Sequence, residues 1–243
     1  MAKMIWEGLP FFDERQGEKV RALVIHCCGF DAAGMIDVLR ESNLSSHYII
    51  DEQGKIFHLV SEKKRAWHAG VSHWRNMKNL NSSSVGIELC TSSMGQQSYS
   101  SKQINGFLRL AKQIISHYRI PAYNVVAHSD IAPTRKPDPG IAFPWQYMAQ
   151  KGVGLWYDIN DAAKVKENDV AKLLQIIGYD TSDLAAASYA FCRHFIPQEI
   201  KTYNTIEEVI EKIYPPDFVL PEKYLLILKA CAYKYGRFNS HRG

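Results

Sequence analysis

Three short apolar segments, each containing a histidine or a glutamate, constrain the fold of this chain more than any other feature of its sequence. Residues 20–26 form a β-rich run that ends in a histidine, and residues 124–128 form another. Between them, residues 84–90 are apolar and β-branched but contain Glu88, a costly place for a charge that has no partner or function. Such runs predict buried strands, and strand ends present their side chains to clefts.

The rest of the first 160 residues mixes strands with helices. Residues 47–60 are typical of a β-hairpin that turns at Gly54. Apolar residues recur at helical spacing over residues 100–118, and Ser100 with Gln103 resembles a capping box at the start of that helix. Because strands and helices do not strictly alternate, we predict an α/β fold with a mixed central β-sheet flanked by helices.

The β pattern disappears after about residue 160, where four helical stretches follow. Among them Thr205, paired with Glu208, and Thr181 are predicted N-caps. This change in pattern predicts a domain boundary. We expect one domain over residues 1–160 and a small C-terminal all-helical domain over residues 161–243.

Charge and cysteine content exclude several classes of protein. The 29 basic and 25 acidic residues give a net charge of +4 without a long single-sign run, so we expect no nucleic-acid partner. No stretch reaches transmembrane length and the start lacks the apolar core of a signal peptide, so we expect no membrane span. The five cysteines lack CxxC spacing, which favours free thiols in the cytoplasm.

Two strand-end histidines and an aspartate form a candidate metal site. A catalytic zinc needs three protein ligands and one open position, and His26, His128 and Asp138 can supply them. The loop from His128 to Asp138 contains prolines at 133 and 137 and is followed by Pro-Gly, so a stiff turn can return the carboxylate to the histidine. The alternative is a pair of hydrogen-bonded structural histidines beside a rigid surface loop.

Longer motifs make the chain resemble a known family. Residues 127–140 read Ala-His-Ser-Asp-Ile-Ala-Pro-Thr-Arg-Lys-Pro-Asp-Pro-Gly, followed by Phe-Pro-Trp at 143–145. Residues 65–72 read Arg-Ala-Trp-His-Ala-Gly-Val-Ser, and residues 81–89 read Asn-Ser-Ser-Ser-Val-Gly-Ile-Glu-Leu. In this order the segments resemble those of the zinc-dependent N-acetylmuramoyl-L-alanine amidases of the AmpD/AmiD type, whose fold peptidoglycan recognition proteins share. The resemblance covers roughly residues 20–150.

The resemblance assigns a role to each candidate site residue. It implies that the two histidines and the aspartate named above hold one Zn²⁺. It also implies that Glu88 is the general base and that Lys136 is a cation beside the metal. His68 and Asn81 lie in the matched segments and are expected to contact substrate, with hydrogen bonding that organises the cleft as the alternative.

The same resemblance implies a substrate. It predicts cleavage of the amide between (1,6-anhydro-)N-acetylmuramic acid and L-alanine, in peptidoglycan recycling or turnover. The alternative is a recognition module that binds muropeptides without cutting them. The helical tail resembles the peptidoglycan-binding domain of AmiD-type enzymes, or else is a small helical cap. The tail favours intact peptidoglycan and a periplasmic or wall location, whereas the missing leader favours anhydro-muropeptides in the cytoplasm.

Overall fold

The computed structural model describes residues 4–237. The strands in chain order are β1 (Ile5–Trp6), β2 (Phe12–Glu14), β3 (Ala22–Cys28), β4 (Tyr48–Ile50), β5 (Ile56–His58), β6 (Lys64–Ala66), β7 (His73–Trp74), β8 (Met77–Lys78), β9 (Ser84–Cys90) and β10 (Val125–Ala127). The α-helices are α1 (Ala32–Glu41), α2 (Ser101–Tyr118), α3 (His128–Ile131), α4 (Trp145–Gln150), α5 (Val170–Ile177), α6 (Leu184–Phe195), α7 (Ile206–Glu211) and α8 (Leu225–Gly236).

Six strands form the central sheet in the order β1-β5-β4-β9-β3-β10. Strands β4, β9, β3 and β10 are parallel, whereas β5 runs antiparallel to β4 and closes the predicted hairpin at Gly54. The pairs β2–β6 and β7–β8 form two small antiparallel sheets beside it. The predicted mixed sheet is therefore confirmed, and the three apolar segments that carry His26, Glu88 and His128 lie side by side in it.

Alternation along β3 shows why the sheet is covered on both faces. Leu23 and Ile25 pack in the cluster that contains Phe107 of helix α2. Ala22 and Val24 point to the opposite face. All seven residues of β3 and all seven of β9 are buried, as expected for strands in a parallel sheet that carries helices on both sides.

The C-terminal helices bury their apolar faces against the sheet. One hydrophobic cluster contains Val24 and Val126 from the sheet, Leu173 from α5, Phe191 from α6 and Cys231 from α8. Apolar burial contributes about 25 cal/mol per Å², so a cluster of this extent contributes much of the stability of the helical segment. The described residues of this segment, 161–237, therefore share a hydrophobic core with the sheet.

Helix caps confirm some sequence predictions and correct one. Ser100 Oγ accepts from Gln103 N, but the Gln103 side chain donates to Ile50 O and Cys90 O, so only half of the capping box forms. Thr205 caps α7 as predicted by accepting from the backbone N–H of residue 208. The prediction for Thr181 is wrong, because Asp183 caps α6.

Within residues 4–237, no helix combines the length and the apolar character needed to cross a membrane. The five cysteines are all buried and free. Cys28 and Cys90 face each other on neighbouring strands, with their Sγ atoms 3.6 Å apart. Cys28 is thus a packed thiol.

Arg15 fastens the N-terminal segment to the start of β9. Its buried guanidinium donates to four backbone carbonyls, those of Glu62 at 2.9 Å, Asn81 at 3.4 Å, Ser82 at 2.7 Å and Ser84 at 2.8 Å. One planar group with five donors can satisfy several acceptors at once, which an ammonium cannot do in the same geometry.

Removal of this guanidinium should destabilise the protein. We expect Arg15→Met to lower the free energy of unfolding by about 3 kcal/mol, because four carbonyls lose a charged donor in a buried place. Arg21→Met serves as the control, because Arg21 is partly exposed and its ion pair with Glu18 is long, at 3.8 Å. It should change stability by less than about 0.5 kcal/mol. Urea unfolding followed by circular dichroism measures both, and equal stability of the two variants would contradict this role.

Candidate metal centre and active site

Strand register brings the site residues together. In the parallel pair β3–β9, His26 is the register partner of Glu88. In the pair β3–β10, Ala127 is the register partner of Ile25, so His128, the first residue of α3, follows beside His26. All of these residues sit at the carboxyl ends of parallel strands, the edge of a sheet where sites in open α/β folds lie.

A single turn of helix interrupts the Pro-rich loop. Helix α3 forms before the first proline of the loop and ends there. Ser129 N donates to Asp138 O at 2.9 Å, which returns the end of the loop to α3. This backbone contact brings the Asp138 carboxylate back beside His128, as the sequence predicts.

Three buried side chains converge at this point. His26 Nδ1 lies 2.9 Å from His128 Nδ1, and Asp138 Oδ2 lies 3.1 Å from each of these nitrogens. The three residues are buried and form a group able to hold a metal ion. The structure therefore brings all three predicted ligands together.

Hydrogen bonds on the outer ring nitrogens determine where the protons of the histidines lie. His128 Nε2 contacts the Ala69 carbonyl at 3.2 Å, and a carbonyl can only accept. In a neutral ring the proton is therefore on Nε2, and Nδ1 carries a lone pair that points at His26 and Asp138. Such outer contacts commonly fix the tautomer of metal-binding histidines.

For His26 the position of the ring proton follows from a chain of three hydrogen bonds. The Ser84 hydroxyl donates to Leu80 O at 2.5 Å, so Ser84 Oγ accepts from His68 Nε2 at 3.3 Å. His68 Nδ1 is then a hydrogen-bond acceptor, and the N–H group at His26 Nε2 donates to it at 2.9 Å. His26 Nδ1 is therefore also unprotonated.

The charges agree with this assignment. Burial, followed by the neighbouring His128, lowers the pKa of His26 to about 4, so this ring is neutral at pH 7. Burial alone would raise the pKa of Asp138, but His128 and His26 outweigh it and hold that pKa well below its usual range. The neutral ring of His26 thus faces an ionised carboxylate, and the contact of His128 Nε2 with the Ala69 carbonyl turns the Nδ1 lone pair of His128 toward the same point. This is a donor set that fits a divalent cation.

Glu88 lies next to this set. Its Oε1 atom is 3.9 Å from His26 Nδ1, and its Oε2 atom is buried without a hydrogen-bond partner among residues 4–237. Burial, with a smaller contribution from Cys28, raises its pKa well above the usual value for a carboxyl group. A carboxylate that binds protons tightly and has a free oxygen is suited to accept and return a proton.

Lys136 supplies positive charge to the same place. It is half-buried in the loop between α3 and Asp138, where its backbone N–H donates to Ala132 O at 3.1 Å. Its charge is one of the influences that lower the pKa values of both His26 and Glu88. The charge of Lys136 therefore acts on both groups.

His68 and Asn81 hold the candidate ligands in place through hydrogen bonds. His68 contacts His26 Nε2, as described above, and Asn81 Oδ1 accepts from the backbone N–H groups of His68 at 3.0 Å and Ala69 at 2.6 Å. Asn81 thereby fixes the segment whose Ala69 carbonyl holds His128. These contacts follow the cleft-organising alternative.

Two further residues of the site were not predicted from the sequence. Ser84 orients His68, and Gly86 leaves room for the His68 ring, because a Cβ atom at position 86 would lie 2.6 Å from His68 Cγ. The sequence did contain a signal for these two residues. Side chains alternate along a strand, so positions 84, 86 and 88 share one face of β9. A glycine on that face beside a carboxylate indicates a closely approaching side chain.

Comparison with known proteins identifies the family. The family model described as N-acetylmuramoyl-L-alanine amidase matches residues 16–141, a little over half of the chain. The chain is 34% identical to the N-acetylmuramoyl-L-alanine amidase AmiD of Escherichia coli over 85% of its length and 89% of that protein. It is 39% identical to the 1,6-anhydro-N-acetylmuramyl-L-alanine amidase AmpD of Enterobacter cloacae over 42% of its length and 54% of that protein.

A solved structure of AmiD from E. coli, in complex with the substrate anhydro-N-acetylmuramic acid-L-Ala-D-gamma-Glu-L-Lys, has the same fold. It superposes with a TM-score of 0.73 at 31% identity and covers 94% of this chain and 99% of its own. The similarity therefore extends through the C-terminal helices, beyond the residues that the family model matches. The chain belongs to the N-acetylmuramoyl-L-alanine amidase family and is an amide hydrolase of that type.

Proposed function

We propose that this amidase hydrolyses the bond between the lactyl carbonyl of 1,6-anhydro-N-acetylmuramic acid and the nitrogen of L-alanine, with one Zn²⁺ held by His26, His128 and Asp138. One observation carries the proposal: three buried atoms with lone pairs converge beside the free carboxylate oxygen of Glu88. The complete donor set and Glu88 argue against a module that only binds muropeptides.

Two imidazole nitrogens and one carboxylate oxygen are a ligand set of catalytic zinc sites, which keep a position open for water or substrate. When bound, Zn²⁺ polarises the scissile carbonyl and makes a water molecule more acidic. The chain supplies the orientation: the Ala69 carbonyl and His68 turn the lone pairs of the two histidines inward. They also prevent the rings from rotating away.

Glu88 would move the proton in this reaction. Its carboxylate takes a proton from the attacking water as the water oxygen bonds to the carbonyl carbon. Because burial raises its pKa, the carboxyl group retains that proton until the C–N bond breaks. The proton then passes to the departing nitrogen, so that L-alanine leaves as a neutral amine and the lactyl group as a carboxylic acid.

Lys136 would stabilise charge. Negative charge accumulates on the former carbonyl oxygen in the tetrahedral state, and an ammonium group fixed in a poorly hydrated cleft stabilises it more than water can. The half-buried position of Lys136, whose charge acts on both His26 and Glu88, fits this role.

The substrate and the compartment are parts of the same proposal. AmiD, which aligns with nearly the whole chain, has been solved with an anhydro-muropeptide, so we propose soluble anhydro-muropeptides as first substrates and intact peptidoglycan as second. We propose residues 161–243 as a helical domain docked on the catalytic domain of residues 1–160. Buried free thiols favour the cytoplasm over the periplasm.

Mass spectrometry of the reaction products tests this function. The protein is incubated with 1,6-anhydro-N-acetylmuramyl tripeptide and separately with sacculi, each with and without a zinc chelator. We expect release of free tripeptide that the chelator abolishes and added Zn²⁺ restores. Cleavage that is indifferent to chelator would refute the metal site, and cleavage of sacculi alone would refute the order of substrates.

Separate variants distinguish the base from a ligand. Glu88→Gln should retain stoichiometric zinc but lower kcat at least about 100-fold, because the proton acceptor is lost. His128→Ala should lose both zinc and activity, since two donors hold the ion poorly. Glu52→Gln, at an exposed position, is the control and should behave like wild type. Elemental analysis and steady-state kinetics measure these effects, and full zinc occupancy in His128→Ala would rule out the ligand assignment.

Lys136→Ala should affect turnover more than binding. We expect kcat to fall about 100- to 1,000-fold with a change in KM of only a few-fold, because the ammonium interacts mainly with charge that develops in the transition state. The exposed Lys112 on α2 provides the control variant Lys112→Ala. If Lys136→Ala retains the wild-type kcat, this residue has no part in the reaction.

A further inference from the structure

The C-terminal helical segment is joined to the candidate metal site through one buried carboxylate. Asp130 is fully buried in α3, two residues after His128. Its Oδ2 atom accepts from Ala127 N at 2.8 Å, which holds the junction between β10 and α3. This bond alone leaves the other oxygen of a buried carboxylate without a donor, and buried charges are costly unless they are hydrogen-bonded.

The missing donors come from the helical segment. The Tyr179 hydroxyl donates to Asp130 Oδ1 at 2.7 Å, and His194 Nδ1 donates to Asp130 Oδ2 at 2.8 Å. Both residues lie beyond the range 16–141 that the family model matches. Asp130 thus receives three donors, two of them from the part of the chain that contributes no candidate ligand.

Both donors are themselves held in place. The His194 ring stacks on Trp145 with centroids 3.8 Å apart and an interplanar angle of 20°. Tyr179 follows Gly178, whose positive φ of 137° ends helix α5 and whose carbonyl accepts from Arg75 N at 2.8 Å. A side chain at position 178 would collide with Trp74 and Arg75, so the glycine allows this close approach.

The hydrogen bonds of the Asp130 carboxylate are important for the position of α3, because this helix is short. A helix of four residues has almost no intrinsic stability, since nucleation costs more than one turn of hydrogen bonds returns. Two groups of α3 contribute to the candidate metal site. One is the His128 ring, and the other is Ser129 N, which donates to Asp138 O. Whatever fixes α3 therefore fixes the separation of His128 and Asp138.

We propose that Tyr179 and His194 are positioning residues for the metal site, acting through Asp130, so that the helical segment completes the catalytic unit. The inference rests on the proposed metal site. It gives the segment a role that does not depend on binding cell-wall polymer. Tyr179 and His194 touch neither the ligand side chains nor Glu88 in the hydrogen bonds described above, so they act on geometry alone.

Metal affinity of purified full-length variants tests the proposal. Zn²⁺ affinity is measured by competition with a chromophoric chelator, and the visible absorption of the Co²⁺ form reports ligand geometry. We expect Tyr179→Phe and His194→Phe each to weaken Zn²⁺ binding about 10-fold, at the lower limit for residues that orient metal ligands. The Co²⁺ spectrum should change in both, and His194→Asn, which restores a donor near Nδ1, should recover part of the affinity.

Tyr189→Phe is the matched control. Tyr189 is a buried tyrosine of α6 whose ring packs on Phe218 and Arg193 instead of binding Asp130. It should match wild type in affinity and spectrum even if thermal stability falls. Because Tyr179→Phe retains its ring, the test does not depend on the folding of His194→Phe.

The outcomes separate this inference from the proposed function. Wild-type affinity and an unchanged Co²⁺ spectrum in Tyr179→Phe and His194→Phe, with only the melting temperature lowered, would overturn the positioning role. Failure of the wild-type protein to bind either ion would instead overturn the proposed metal site.

Discussion

The parallel pairing of β9, β3 and β10 is the constraint on which the site depends. It places Glu88 beside His26 and delivers His128 to the same edge of the sheet. Because side chains alternate along a strand, a slip of one residue in either pair would turn one of these groups to the opposite face. The apolar residues between them fix this register, since they must face α2 on one side and the C-terminal helices on the other.

Given that register, hydrogen bonds behind the histidines determine the chemistry. Ala69 O accepts a hydrogen bond from His128 Nε2, and His68 Nδ1 accepts one from His26 Nε2. The inner nitrogens of both rings therefore carry lone pairs. Without these contacts, each ring could place a proton toward Asp138, and the three side chains would satisfy one another as an ordinary hydrogen-bonded cluster. The structural and the metal-binding interpretations of the histidines therefore differ in the position of two protons.

The helical segment begins at a change in sequence pattern and packs directly against the sheet. Its four helices follow one another as the sequence predicts, yet their apolar residues join those of the sheet in one cluster. Two of its polar residues also enter the interior and bind Asp130. The proposed boundary near residue 160 therefore separates two parts of the chain that are in extensive apolar and polar contact.

The sequence by itself determined the elements and the identity of the chemical groups. β-Branched runs and helical periodicity located β3, β9 and α2, and long motifs in order indicated the ligands His26, His128 and Asp138. It could not determine the partners of polar side chains, because a hydrogen bond between residues far apart leaves no periodic signal. The roles of Arg15, Ser84, Tyr179 and His194 were therefore decided by tertiary structure, which alone selects the donor that reaches each buried acceptor.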